Sequence, residues 1–194
     1  MGRYKILDQH GLNFVTCTVV GWIDIFSRKT YRDIVLQSLE YCRKEKGLLL
    51  YVFVIMTNHL HLIVQSSPDS PYSLSDIIRD FKKYTSSTIL KAVQKETESR
   101  RDWLLHMFAY YAKYNPNNKY FQLWEQDNHP IALYSEKVIW QKVEYIHNNP
   151  VRAGIVHRPE DYVYSSALNY KTENREGVME IDLLEPCWSD FGKI

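Results

Sequence analysis

Two adjacent apolar stretches constrain the fold of this chain more than any other feature. The run Leu48 to Met56 and the segment His59 to Gln65 are rich in residues that favour strands, and Thr57-Asn58 separates them. A break this short predicts that the two strands form an antiparallel pair. Because successive side chains of a strand point to opposite faces, His59 and His61 are expected on one face.

The two histidines are a candidate metal site. Imidazoles at positions i and i+2 of a stiff strand have a chelating geometry for a divalent cation, two ligands short of a closed site. The alternative is a pair of partly exposed histidines that bind nothing. Dinuclear hydrolases that begin with His-x-His continue with x-Asp-His, whereas Ile63 and Val64 stand here. Any further ligands must therefore come from elsewhere in the chain.

The order of predicted elements is strand, helix, strand, strand, helix. The first strand lies within Asn13–Ile25, the first helix spans Thr30–Lys46, and Ser75 caps the helix that follows the histidine strand. This order predicts a ferredoxin-like α+β sandwich, with an antiparallel sheet that carries the histidines and helices packed on one face. A chain of 194 residues suffices for a single domain, 1–194, with a core at about 13–170 and a C-terminal extension at 171–194.

Weaker patterns follow in the second half of the chain. Trp103–Tyr114 is predicted as a short helix and Tyr120–Trp124 as one more edge strand. Ser135 is expected to cap a helix that runs to about His147 and ends at Asn148-Asn149-Pro150, because a residue before proline avoids the helical region. In the tail, Ile181–Trp188 is expected to pack back on the body.

A row of basic residues lies on the helix after Ser75. Arg79, Lys82 and Lys83 repeat at helical spacing on a face other than the apolar one. Such a row is either a solvated surface or a contact to a phosphate backbone. The net charge of +1 argues against a protein that coats duplex DNA, but a local basic row suffices for a nucleic-acid partner.

The cysteines and the apolar runs indicate a cytoplasmic protein. Cys17, Cys42 and Cys187 are scattered and form no Cys-x-x-Cys pair, which predicts buried thiols in a reducing compartment and neither disulfides nor a zinc knuckle. The longest apolar run, Leu48 to Met56, is too short for a membrane span, and no signal peptide is expected.

Tyr145 and Asn149 are the residues that could complete the site. They stand four apart, so they share one face of their helix. If that face packs on the histidines, Asn149 supplies an oxygen ligand and Tyr145 stands beside the metal. Two imidazoles and an amide oxygen suit Mg²⁺ or Mn²⁺ acting on a phosphate. The alternatives are that Asn149 only terminates the helix and that Tyr145 is a core residue.

Two motifs resemble a known family. His59-Leu60-His61 in an apolar strand, followed by the stretch from Val143 to Gly154, resembles the REP-associated tyrosine transposases, a branch of the single-tyrosine HUH transposases that includes insertion-sequence enzymes. The segments Pro159–Ala167 and Trp124–Leu133 are similar to the same branch. The likeness extends from about Asn13 to Tyr170. Thr57 departs from the proline common before Asn-His, and the tail after Lys171 holds no matching motif.

This resemblance implies a ferredoxin-like fold and a site with assigned roles. His59, His61 and Asn149 would hold the metal, and Tyr145 would be the nucleophile. The implied enzyme is a transposase that cleaves and rejoins single-stranded DNA through a 5′-phosphotyrosine intermediate. Its implied partner is DNA with hairpin-forming palindromic repeats. A monomer that uses its own histidines is expected, with a dimer as the alternative.

Two other functions stay open at this point. One is a domesticated relative that binds DNA hairpins without cutting them. The other is a metal-dependent phosphodiesterase that uses water in place of tyrosine. A covalent protein–DNA adduct distinguishes both from the transposase.

Overall fold

The computed structural model describes residues 5–95, 97–115 and 120–185. The strands are β1 (Asn13–Thr18), β2 (Leu48–Ile55), β3 (His59–Ser66) and β4 (Ile131–Ala132). The helices are α1 (Lys29–Lys46), α2 (Leu74–Lys95), α3 (Arg101–Lys113), α4 (Glu136–Arg152) and α5 (Ala167–Thr172). Short 3₁₀ turns lie at Val20–Trp22, Ile25–Ser27 and Pro159–Asp161.

The four strands form one antiparallel sheet in the order β2-β3-β1-β4. Together with the chain order β1-α1-β2-β3-α2, this arrangement confirms the predicted ferredoxin-like α+β fold. In the centre of the sheet His61 pairs with Thr16 and His59 pairs with Thr18. The register therefore places both histidines and both threonines on the same face.

The predicted edge strand at Tyr120–Trp124 is wrong. Only Trp124 forms a bridge there, to Val19, while the fourth strand is the short β4. The reason is the buried indole of Trp124, whose N–H donates to the hydroxyl of Thr85 on α2 at 3.0 Å. This bond and the burial of the ring hold the segment against α2, and its pairing with β1 and the following turn is reduced to separate backbone bonds, such as that from the Glu125 amide to the Thr18 carbonyl.

Helices cover both faces of the sheet, whereas the sequence predicted helices on one face only. α1 and α2 pack together on the face that carries Leu60 and Cys17, as the predicted sandwich requires. α4 adds a layer on the opposite face, where Tyr145 contacts His61. The histidine pair therefore lies under a helix that comes from a distant part of the sequence.

α4 extends beyond the predicted end near His147. It begins as expected, with the Ser135 hydroxyl accepting from the Val138 amide, but it continues through Pro150 to Arg152. Proline lacks an amide hydrogen, and here this loss falls in the last turn of the helix. Gly154, at φ +68°, follows in the left-handed conformation that commonly ends a helix. Asn149 is thus a helical residue.

The C-terminal part of the chain covers the outer edge of β2. The backbone of Tyr164 and of Ser166 pairs with Ile55 and Phe53. Further on, Asp182 bonds to Leu50 through both backbone and side chain. Ile181 is buried, which confirms the predicted return of the tail for the described residues, whereas Cys187 and Trp188 lie outside them. The boundary at residue 171 stays a prediction.

Cys17 and Cys42 are buried free thiols, as predicted. Within the described parts of the chain, no helix is long and apolar enough to cross a membrane.

Candidate active site

His59 and His61 present a pair of imidazoles on the face beneath α4. Their ring centroids are 4.7 Å apart at an interplanar angle of 68°. The Nδ1 of His61 is hydrogen-bonded to the Thr16 hydroxyl at 2.8 Å, and the Nδ1 of His59 donates to the Asn58 side-chain oxygen at 2.7 Å. These bonds orient both rings and leave Nε2 of each as the atom that can hold a metal.

Both imidazoles are neutral at pH 7. Burial, and to a lesser degree the nearby His59 ring and Lys142 ammonium, lowers the pKa of His61 to about 3. Burial also lowers the pKa of His59 from its ordinary value. A neutral imidazole is the form that binds a metal, so neither ring has to lose a proton first.

Tyr145 lies directly against this pair. Its ring centroid is 5.3 Å from that of His61 and 6.2 Å from that of Phe14 on β1. Val143 and Ile146 are buried in the core, which turns this side of α4 toward the sheet. Tyr145, at the border of that buried side, is half-buried, and its phenol reaches the face that carries the histidines. The structure thus brings His59, His61 and Tyr145 into one cluster.

Asn149 lies one helical turn after Tyr145. Its Nδ2 donates to the backbone carbonyl of Tyr145 at 3.0 Å, which leaves Oδ1 as the atom that can face a ligand. Lys142 contacts Phe14, whereas Tyr145, further along α4, contacts both Phe14 and His61. The next turn of the helix, which carries Asn149, therefore continues toward the end of the site where His59 lies. No bond joins Asn149 to either histidine among the described residues.

The candidate ligand set is therefore two neutral imidazole nitrogens and one amide oxygen. No group of three or more His, Cys, Asp or Glu side chains that could hold a metal occurs in the described residues. The mixed set fits part of the shell of a divalent ion, with the other positions left for water and substrate oxygens.

Two cationic side chains lie beside Tyr145 that the sequence analysis did not predict as site residues. The Lys142 ammonium and the Arg152 guanidinium each lie 5.5 Å from the centroid of the Tyr145 ring. Neither forms an ion pair with a carboxylate of the described chain. Their spacing carries the signal that could have identified them, because Lys142, Tyr145, Asn149 and Arg152 follow i, i+3, i+7 and i+10 along one stripe.

The three residues of the predicted basic row lie in different environments. The Lys82 ammonium turns inward and donates to the Asn128 side chain at 2.7 Å and to the Glu125 carbonyl. Arg79 is ion-paired with Asp76 and Asp80 on its own helix. Lys83 is exposed, which makes it the member of the row best placed for a DNA phosphate.

The sequence and the fold of this chain are both similar to those of known proteins. Residues 22–126 match the model of the family described as transposase IS200 like. A solved REP-associated tyrosine transposase bound to a REP hairpin is 15% identical, covers 96% of both chains and superimposes with a TM-score of 0.65. At this identity the likeness establishes the fold.

A second solved structure, provisionally assigned as a transposase from Deinococcus radiodurans R1, is 17% identical. It covers 76% of this chain and 95% of its own, with a TM-score of 0.43. No curated protein sequence matches the chain. The family model nevertheless spans more than half of the residues, and the chain belongs to the IS200-like transposase family.

Proposed function

We propose that this transposase cleaves and rejoins single-stranded DNA through a covalent 5′-phosphotyrosine on Tyr145, with Mg²⁺ or Mn²⁺ at His59, His61 and Asn149. One observation supports this above all others. The ring centroid of Tyr145 lies 5.3 Å from that of His61, and the centroids of His61 and His59 are 4.7 Å apart. The fold creates this cluster from α4 and β3, which are far apart in sequence. A nucleophile and two neutral imidazoles in contact are what a metal-assisted attack on phosphate needs.

In this proposal His59, His61 and Asn149 bind the metal ion, and Tyr145 attacks the phosphate. When bound, the metal polarises the phosphoryl oxygens and orients the scissile bond. The Tyr145 hydroxyl loses its proton and its oxygen forms a bond to phosphorus, while the bond from phosphorus to the 3′ oxygen breaks and that oxygen takes up a proton. The products are a 5′-phosphotyrosine and a free 3′-hydroxyl. Because the phosphotyrosine retains the phosphodiester energy, a second 3′-hydroxyl can rejoin the strand without ATP.

Lys142 and Arg152 supply positive charge around the attacking oxygen. At 5.5 Å from the ring of Tyr145, both can reach a phosphate that Tyr145 attacks. They would stabilise the phenolate before attack and the charge on the phosphoryl oxygens during it.

We further propose hairpin-forming palindromic repeats as the substrate and a monomer as the active form. The structural neighbour with a TM-score of 0.65 is bound to a REP hairpin, and its fold spans 96% of this chain. The contact between Tyr145 and His61 lies within one chain, which supports cleavage by a tyrosine and histidines of the same protomer.

Labelled single-stranded hairpin DNA incubated with the protein and Mn²⁺ tests this function. A denaturing gel should show a covalent protein–DNA adduct, and His59→Ala or His61→Ala should abolish it while the variants stay folded. Cleaved DNA without an adduct would instead identify a phosphodiesterase that uses water. Hairpin binding with neither cleavage nor adduct would identify a silent relative.

A further inference from the structure

Trp22 is an exposed aromatic residue in an unfavourable backbone conformation. Its side chain is 65% exposed, and its φ of +56° lies in the left-handed region that bulky residues avoid. The preceding Gly21 has φ +60° and lies so close to the Tyr111 hydroxyl that a Cβ there would overlap it. Conformations of this kind persist where the surroundings fix them, and they cluster at ligand sites.

Asn58 fixes Trp22 relative to the candidate active site. Its Nδ2 donates to the Trp22 carbonyl at 3.3 Å, while its Oδ1 accepts from His59 Nδ1 at 2.7 Å. The indole consequently lies edge-on to His59, with the ring centroids 5.8 Å apart. A nucleotide whose phosphate lies at the histidines would have its neighbouring base within reach of this exposed ring.

A surface cavity of about 560 Å³ opens beside the indole. Its walls include Thr18, Trp22, Tyr111, Glu125 and Asp127, and we refer to it as the Trp22 pocket. Thr18 is the strand partner of His59, so the pocket borders the active site directly. The volume lies in the range of small-ligand sites.

The chemistry of the walls favours a base over a phosphate. Glu125 and Asp127 bring two negative charges, which the single nearby Lys82 ammonium offsets only in part, and the remaining negative charge repels a phosphodiester. Neither carboxylate accepts a hydrogen bond from a described residue, so both are open to a donor from a ligand. Exposed aromatic rings stack unpaired bases. Guanine fits this combination best because its N1–H and N2–H groups are adjacent donors that a carboxylate can accept together.

We propose that the Trp22 pocket binds one unpaired guanine of the substrate strand, next to the scissile phosphate. The base stacks on Trp22, and its donor edge faces Glu125 and Asp127. This inference rests on the proposed function, since it takes single-stranded DNA as the ligand. It adds a contact that selects the sequence flanking the cleavage point.

Binding without chemistry tests the pocket. A Tyr145→Phe protein in EDTA is titrated by fluorescence anisotropy against hairpins with a single-stranded thymidine flank, in which one guanine is moved through successive positions. Guanine at one position should raise the affinity. Trp22→Ala should lower that affinity roughly tenfold or more, since stacking on an aromatic ring is lost. Trp22→Phe should retain most of it.

Matched variants separate recognition from folding. Trp103→Ala removes a tryptophan that is 47% exposed on α3 and should change nothing. Replacing Glu125 by Gln together with Asp127 by Asn should remove the preference for guanine while hairpin binding persists. Guanine binding should also quench tryptophan fluorescence in the parent and not in Trp22→Phe.

The inference is overturned if Trp22→Ala binds every flank like the parent, or if it weakens a hairpin without a flank equally. Such a result leaves the adduct of the proposed function intact. Conversely, Trp22-dependent guanine binding without any adduct in the Tyr145-containing protein would refute strand transfer and keep the pocket.

Discussion

Lys142 and Arg152 put two positive charges beside Tyr145, and each should contribute to the rate of adduct formation. We expect Lys142→Met and Arg152→Met to slow adduct formation about tenfold or more, because a hydrogen bond to a charged group contributes about 1.5–3 kcal/mol. Single-turnover rates on labelled hairpin DNA measure the effect. Lys137→Met, an exposed cation on the same helix, is the control. Rates equal to the parent in both variants would leave the two cations without a role in the reaction.

His147 makes the stability of the protein sensitive to acid. Burial lowers its pKa from 6.5 to about 4, and its Nε2 is hydrogen-bonded to the Ser166 hydroxyl at 2.9 Å. As the pH falls below 6.5 the unfolded chain takes up a proton that the folded protein excludes, so stability is lost until the pH reaches the folded-state pKa.

Urea unfolding at pH 7 and pH 5 checks this effect. The stability advantage of the parent over His147→Asn should shrink by about 2 kcal/mol between these two pH values. An advantage that stays constant would show that His147 titrates alike in the folded and unfolded states.

Among single residues, strand periodicity predicted that His59 and His61 share a face, whereas the role of Tyr145 came from the resemblance of its motif to a known family, because helical spacing alone left a core position open. Helical spacing places Lys142 on the same stripe as Tyr145, but neither its contact with the sheet nor the exposure of Trp22 could be predicted. Lys142 becomes relevant only when α4 lies on Phe14, a tertiary contact, and Trp22 acquires its exposed position from the left-handed turn at Gly21.

At the scale of elements, α2 places two neighbouring lysines in different environments. Lys82 is partly buried, with its ammonium bonded to the loop after Trp124, and the loss of water around the ammonium lowers its pKa, whereas Lys83 is exposed. We expect Lys83→Ala to weaken hairpin binding and to reduce the slope of log affinity against log salt by about one. Lys82→Met removes the same charge but should lower the melting temperature instead. A salt slope reduced equally by both, with no loss of stability, would contradict this assignment.

The elements themselves were predictable wherever local pattern decides. Apolar runs rich in β-branched and aromatic residues predicted β2 and β3, and Ser135 predicted the start of α4. The end of α4 was not predictable from local rules because Pro150 is accommodated in the last turn before Gly154. The inward turn of Lys82 depends on where residues 125–128 fold over α2, which helical spacing alone does not contain.

At the scale of the whole molecule, the returning tail closes the outer edge of the sheet. The Asp182 carboxylate accepts from the Leu50 amide at 2.8 Å and pairs with Arg43 on α1. Asp182→Ala leaves that amide without its partner, which should lower the free energy of unfolding by about 1–3 kcal/mol. Chemical denaturation measures the loss, and Glu180→Ala, which removes a nearby exposed carboxylate, is the control. Adduct formation below the melting temperature should stay unchanged; a stable variant with a slower reaction would instead connect the tail to the site.

The central claim is that this fold makes Tyr145 the nucleophile. Tyr84 is the rival, since it is flanked by lysines, but it is 57% exposed on α2 and makes no ring contact with the histidines among the described residues. The most direct measurement maps the DNA-linked peptide by mass spectrometry in the parent, Tyr145→Phe and Tyr84→Phe proteins. We predict linkage at Tyr145, no adduct but intact hairpin binding in Tyr145→Phe, and an adduct in Tyr84→Phe. DNA linked to Tyr84, or an adduct that persists in Tyr145→Phe, would contradict the account.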